Sequence, residues 1–247
     1  MAFRPDPALS RAEMEALQRD IADAARFTDD DCPTPADVAS GEALVAGVDQ
    51  AFLSDPDRAV SAVVLVRGGE VVERTYAVTD LSIPYVPGLL AFREGGPILA
   101  ALDTLDAEPD LYVLDGSGRI HYREAGLATH VGVILDAPSV GVAKSLLCGE
   151  PRRPVDALAE GERVAVEADA SMTAPAGTVV GYAYQSRQYP NSTRVNPLYV
   201  SPGHRVSAGT AVDLVAACGG DYKLPEPTRL ADAYADEAKR AVRDGNA

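Results

Sequence analysis

Short apolar runs separated by polar turns are the most regular pattern in this chain. Nearly every residue from Leu44 to Phe52 is small or apolar, which predicts a strand covered on both faces. Val60–Val66 and Val71–Val78 lie on either side of Arg67-Gly68-Gly69-Glu70, a hairpin signal. Three successive strands predict an antiparallel meander. The period then changes. Pro97 suits the first turn of a helix running to about Ala107, with Ile98, Leu99, Leu102 and Leu105 apolar. Leu111–Leu114 reads as a short strand closed by Asp115-Gly116, Leu127–Leu135 as a helix, and Ser139–Ala143 as a second buried strand. This alternation predicts parallel strands added to the meander, with helices on both faces. Upstream, Ser10 and Glu13 form a capping box that opens a helix over 10–27 with Met14, Leu17 and Ile21 on one stripe. Downstream, strands are predicted near Val179–Tyr184 and Leu198–Val200, a loop over Ser186–Pro197, and helices from Ser207 and Thr228. No repeat or low-complexity linker interrupts residues 1–247, so one α/β domain on a mixed sheet is expected, with the N-terminal helix and the C-terminal helices packed on it.

Composition narrows the class. At 47% hydrophobic and 24% charged over 247 residues, the chain suits a globular fold rather than a disordered or fibrous one. No run reaches the length of a membrane span, and the N-terminus lacks the apolar stretch of a signal peptide. Cys32, Cys148 and Cys218 lie far apart with no paired spacing, against a disulfide scaffold or a zinc ribbon. A cytoplasmic location is expected. The net charge of −15, with only three lysines, resists non-specific nucleic-acid binding and would suit a salt-rich interior. From Arg119 to Arg205, however, nine basic residues face eight acidic ones. That near balance is either scatter or the trace of a local anion-binding face.

A few residues stand out against this background. Asp49 sits inside the apolar run Leu44–Phe52, where an uncompensated carboxylate is costly. Asp115 ends its own short apolar strand; a plain Asp-Gly turn is the alternative. Two such strands side by side would bring both carboxylates to the strand ends where α/β sheets hold ligands. Glu94, after Phe92-Arg93, is either a third hard oxygen ligand for Mg²⁺ or a solvated carboxylate at a helix start. Pro84-Tyr85-Val86-Pro87-Gly88 stiffens the backbone around a tyrosine that either stacks on bases or packs on the protein's own surface. Lys144 ends a buried strand, suited to charge neutralisation or simply to snorkelling. His204 precedes Arg205 and the Ser207 cap, a place suited to phosphate contact. His130, mid-helix, reads as structural, and Cys148 as a buried thiol.

Taken together, these segments resemble the endonuclease V family of deoxyinosine-directed nucleases. The likeness runs through Val45-Ala46-Gly47-Val48-Asp49, Pro84–Gly88 with Phe92-Arg93-Glu94, Leu114-Asp115-Gly116, Pro138–Lys144, Asn196-Pro197 with Gly203–Ser207, and Leu224–Arg229. It implies a ribonuclease H-like fold and a Mg²⁺-dependent phosphodiesterase, Mn²⁺ substituting, which nicks inosine-containing DNA at the second phosphodiester 3′ of the lesion. The products would carry 5′-phosphate and 3′-hydroxyl ends. By motif match, Asp49, Asp115 and Glu94 would hold metal, while Lys144 and His204 assist at the phosphate. Tyr85, with Pro84, would fill the gap left by a base turned out of the helix, a step costing a few kcal/mol. Gly88, Leu90 and Gly116 would line the base pocket, and His121, Arg123 and Arg205 would touch DNA. Departures from the family pattern are Ser117 where His is usual, Glu124 in place of a basic residue, and a long Ser186–Val195 segment. The resemblance leaves room for inosine-containing RNA as substrate and for a catalytically silent inosine-binding protein. A monomer without membrane association is expected.

Overall fold

The computed structural model describes residues 3–245. Its strands are β1 (Val45–Ser54), β2 (Asp57–Arg67), β3 (Glu70–Asp80), β4 (Leu111–Asp115), β5 (Ser139–Ala143), β6 (Glu150–Pro151), β7 (Arg163–Glu167), β8 (Val179–Tyr184) and β9 (Leu198–His204). The helices are α1 (Arg11–Ala24), α2 (Pro35–Ser40), α3 (Leu90–Leu102), α4 (Leu127–Leu135), α5 (Ala208–Ala217) and α6 (Glu226–Arg243). All nine strands join one sheet in the order β3-β2-β1-β4-β5-β9-β8-β7-β6. β1, β4 and β5 are parallel neighbours, β1–β3 form the expected meander, and β9 onward is antiparallel. This is a mixed α/β architecture of ribonuclease H-like form.

Strand alternation explains which helix covers which face. Leu44, Ala46, Val48 and Leu114 meet Ile98 and Leu99 of α3 and Val131 of α4. The opposite parity, Val45, Leu111, Val113, Val140 and Val142, meets Val212 and Val215 of α5. Further along β1 and β2, Ala51 and Ala62 meet Ala235 of α6. Every residue of β2 from Ala59 to Val66 is therefore buried. α6 comes closest to the sheet at Gly47, where a Cβ would lie 2.0 Å from the Pro227 carbonyl.

Several expectations need correction. α3 begins at Leu90, well before Pro97, which lies inside it. The absent proline N–H normally favours a helix start; here Leu89 and Phe92 bury against Met14 of α1 and carry the helix further back. α1 ends at Ala24 rather than Phe27, because the Arg26 N–H turns to the His204 ring, 3.2 Å away. α6 starts at Glu226, and Thr228 is not its cap: its hydroxyl donates to the Pro225 carbonyl at 3.0 Å. α2, β6 and β7 are additional elements. The cysteines are unpaired, Cys148 and Cys218 being buried. Among the described residues no helix is long and apolar enough to cross a membrane.

Candidate active site

The parallel register of β1 and β4 pairs Val48 with Leu114, so the next residues, Asp49 midway along β1 and Asp115 at the end of β4, emerge side by side where the parallel pairing stops. They open into a cavity of about 370 Å³ that is also lined by Tyr85, Leu90, Glu94, Gly116, Ser117 and Lys144. Lys144 follows β5 directly and donates to Asp115 Oδ2 at 2.8 Å. Glu94 arrives from α3, on the far side of the sheet from α6. It is a half-buried group at the cavity wall, not a solvated helix-start carboxylate.

A fourth acid stands nearby on α6: the Asp232 carboxyl is close enough to Asp49 to help raise its pKa. The sequence reading missed it. On a strongly amphipathic helix an exposed aspartate looks like part of the solvated face. The signal was present, since Asp232 follows Thr228 by four residues and adjoins Ala231, both buried, which places it beside the packed stripe.

Electrostatics in this cleft are unsettled. Burial, then the charge of Asp115, with a smaller push from nearby Asp232, raises Asp49 to about 8, against the opposing Gln50 N–H and Lys144. Burial also lifts Glu94 to about 7, with Arg93 opposing and Asp115 adding to the rise. Burial works to lower Lys144, but its hydrogen bond to Asp115 and the nearby acids outweigh it and raise the ammonium pKa. Gln50 Oε1, at the same wall, is buried without a partner. Apart from the Lys144 ammonium, these groups are hard oxygens with an excess of acids, a set that fits a divalent cation such as Mg²⁺. Among the described residues no three acid, histidine or cysteine side chains are yet drawn together as a closed ligand set.

The remaining candidates divide into two groups. Tyr85 is 64% exposed, held out between Ile83 and Val86, which pack toward α1; Pro84 beside it is exposed. Gly88, at φ 79°, is buried beneath this loop, and its carbonyl accepts from His121 Nε2 at 3.1 Å. His121 is itself buried and held neutral, its pKa lowered to about 4 mainly by burial. Arg123 is tied to Glu15 at 2.8 Å. Gly88, His121 and Arg123 thus form the support of the loop and present no free surface to a ligand.

His204 and Arg205 lie elsewhere. β9 runs antiparallel to β5, pairing His204 with Ser139 and Tyr199 with Ala143. His204 is therefore at the opposite end of the sheet from Asp115, three strand residues or roughly 10 Å away along β5. It is 2% exposed, takes the Arg26 N–H at Nδ1 and donates from Nε2 to Asp136 at 3.1 Å. Arg205 binds Asp136 at 2.8 Å. Neither residue reaches the acidic cleft; adjacency to a helix start in sequence did not place them at the functional edge. His130 is buried, with Nε2 2.8 Å from the Phe3 carbonyl. In the balanced stretch Arg119–Arg205, Arg119, Arg152, Arg153, Arg163 and Arg187 each pair with a nearby acid, so much of its positive charge is already engaged. Glu124 is used internally, on Arg119. The long Ser186–Val195 loop is closed at its base by Gln185, which holds the Arg187 carbonyl and the Asn196 N–H.

A ribonuclease H-like sheet with acids gathered where its central parallel strands stop pairing defines an α/β protein with an oxygen-rich cleft at the usual ligand edge. The model of the endonuclease V family matches residues 33–233. The chain belongs to the endonuclease V family. It is 70% identical to the endonuclease V of Natronomonas pharaonis, over 98% of this chain and 97% of that relative. The crystal structure of the catalytic domain of human endonuclease V is 32% identical and superposes with a TM-score of 0.79, covering 96% of this chain and 98% of that one. Endonuclease V of Ciona intestinalis, crystallised with a 24-mer DNA containing an inosine followed by a ribo-adenosine, is 26% identical with a TM-score of 0.75, over 94% and 98% of the two chains.

Proposed function

We propose that this chain is a Mg²⁺-dependent endonuclease acting on inosine-containing DNA, cutting the second phosphodiester 3′ of the lesion to leave 5′-phosphate and 3′-hydroxyl ends. The observation that carries the reading is the meeting of Asp49, Asp115 and Glu94 at one cleft, with Lys144 and an exposed Tyr85 on its wall and Asp232 close to Asp49. Four acids would repel a phosphate unless cation charge intervened, so a pure binder would gain nothing from them. Asp49, Asp115 and Glu94, with Asp232, would hold Mg²⁺, which supplies charge to the phosphate and lowers the pKa of an attacking water. Lys144 orients Asp115 and keeps a cation at the phosphate-facing edge. Tyr85 offers a rigid ring to fill the space of an extruded base, and the cavity beside it takes that base.

The inosine-containing DNA bound by the Ciona relative supports the substrate class. The ribo-adenosine following its inosine favours a second reading, a substrate with ribose at that position. The test is a single-inosine duplex and its RNA counterpart, each with Mg²⁺ and with chelator. Nicking of the DNA that disappears with chelator is expected; preference for the RNA selects the second reading, and binding without cleavage of either sinks both.

A further inference from the structure

α1 precedes the segment matched by the family model, yet it reaches the base-recognition side of the cleft. Gln18, in the middle of α1, is fully buried. Its Nε2 donates to the Gly88 carbonyl at 2.8 Å and approaches the Ala125 carbonyl at 3.5 Å. Its Oε1 accepts from Arg123 Nη1 at 3.1 Å. One amide thus bridges two stretches of backbone remote in sequence: the Tyr85–Leu90 loop, and the segment that runs from Gly116 to the start of α4. Both contribute residues to the cavity.

The Gly88 carbonyl is doubly held. The Arg123 N–H donates to His121 Nδ1 at 3.2 Å, which leaves the proton of the neutral ring on Nε2, aimed at Gly88. With Gln18 on its second lone pair, that carbonyl is fully satisfied and pinned toward the interior. Gly88 has a left-handed φ, and α3 follows without a side-chain cap. The direction of this peptide therefore sets where the Tyr85 turn and the first residues of α3 point.

We infer that Gln18 is a positioning residue for lesion recognition, fixing the Tyr85–Leu90 loop against the 116–125 segment so that the pocket and the tyrosine keep one shape. The inference rests on the proposed substrate, an extruded hypoxanthine. The Gln18 side chain hydrogen-bonds to Gly88, Ala125 and Arg123 and to none of Asp49, Glu94, Asp115 or Lys144, so its loss acts on selection of the base and not on the cleavage step.

The test uses three variants. Gln18→Met keeps the volume and removes the amide. Gln18→Glu keeps a partner for Arg123 but cannot donate to Gly88 when ionised. Met14→Ala loosens the same helix through packing alone, since Met14 is buried against Leu89 and Phe92. The chain has no tryptophan, so Tyr85→Trp, combined with each, reports on the loop by fluorescence anisotropy and acrylamide quenching. Both Gln18 variants are expected to make the introduced tryptophan more mobile and more easily quenched. In otherwise native protein they should lower the preference for a single-inosine duplex over an unmodified one by about tenfold, through KM with kcat little changed, as expected for a buried acceptor losing its donor. Met14→Ala, compared at equal distance below its melting temperature, loosens the loop only through its packing on Leu89 and Phe92, and should shift both readings clearly less than the Gln18 variants do. Unchanged quenching and unchanged preference in the Gln18 variants would overturn the inference, as would identical losses in Met14→Ala. A parent protein indifferent to inosine would sink the substrate reading instead, and the quenching experiment would still decide whether Gln18 holds the loop.

Discussion

The two ends of the central strands carry carboxylates in opposite circumstances. At one end Asp136 accepts from His204, from Arg26 at 2.9 Å and from Arg205 at 2.8 Å. The His204 hydrogen bond, followed by the two arginines, holds its pKa below the ordinary carboxylate value despite slight burial. At the other end Asp49 is half-buried beside other acids and is pushed up to about 8. Folding has resolved the charge at Asp136 and left it unresolved at Asp49. Uncompensated charge in a cleft marks the working end of such a molecule, and a count of acids or histidines alone would have marked both.

Substitution at each end should break the symmetry most sharply. Asp115→Ala is expected to reduce nicking of an inosine duplex by roughly 10²–10³-fold or more while leaving part of the DNA binding in a gel-shift assay. Equal loss of both would remove Asp115 from the reaction. Gly47→Ala tests how α6 reaches the cleft: the new Cβ would collide with the Pro227 carbonyl, displacing Asp232 from Asp49. A loss of about 1–3 kcal/mol in denaturant unfolding is expected, with nicking falling further than the unfolded fraction explains. Asp136→Asn, at the settled end, should cost about 1 kcal/mol or less, because the carboxylate is largely exposed, and should leave nicking intact.

The pH response separates the ends more finely. Asp49 and Glu94 have folded pKa values above their unfolded ones, so they bind protons more readily in the folded state. Their stabilisation is complete below about pH 4 and is lost as pH rises through about 7 to 8. With chelator present, the melting temperature should therefore decline over that window, and Asp49→Asn should flatten the decline; Mg²⁺ should restore stability most at pH 8. Asp136 has the opposite sign. Its contribution is present above the unfolded carboxylate pKa and is lost on acidification. His121 and His130, buried with pKa values near 4 against 6.5, add to that acid limb, since the unfolded chain takes up their protons first. Asp136→Asn should shorten the acid limb and leave the alkaline one alone.

How much of this was legible in the sequence depended on whether the signal was local. The β1–β3 meander, β4, α4 and β5 could be read because apolar runs ended at turn residues, and Asp49 stood out because an acid interrupted one of those runs. α3 was misplaced because burial of Phe92 and Leu89 overrode the usual position of a proline. His204 was misassigned because its chemistry suited phosphate while strand direction, which no local motif records, carried it to the far end. Asp232 and Gln18 were missed for a shared reason: each is a polar residue on a helix whose meaning comes from a backbone remote in sequence, Gly47 letting α6 close on β1 in one case and Gly88 turning inward in the other.

The close approach of α6 at Gly47 also has a consequence in time. The acidic cluster draws on residue 49 and residue 232, so the whole span between them must leave the ribosome before its charges can assemble. A half-made chain carries the strand but not the last carboxylate. The acidic set would then be complete only after residue 232 has emerged and α6 has docked on β1.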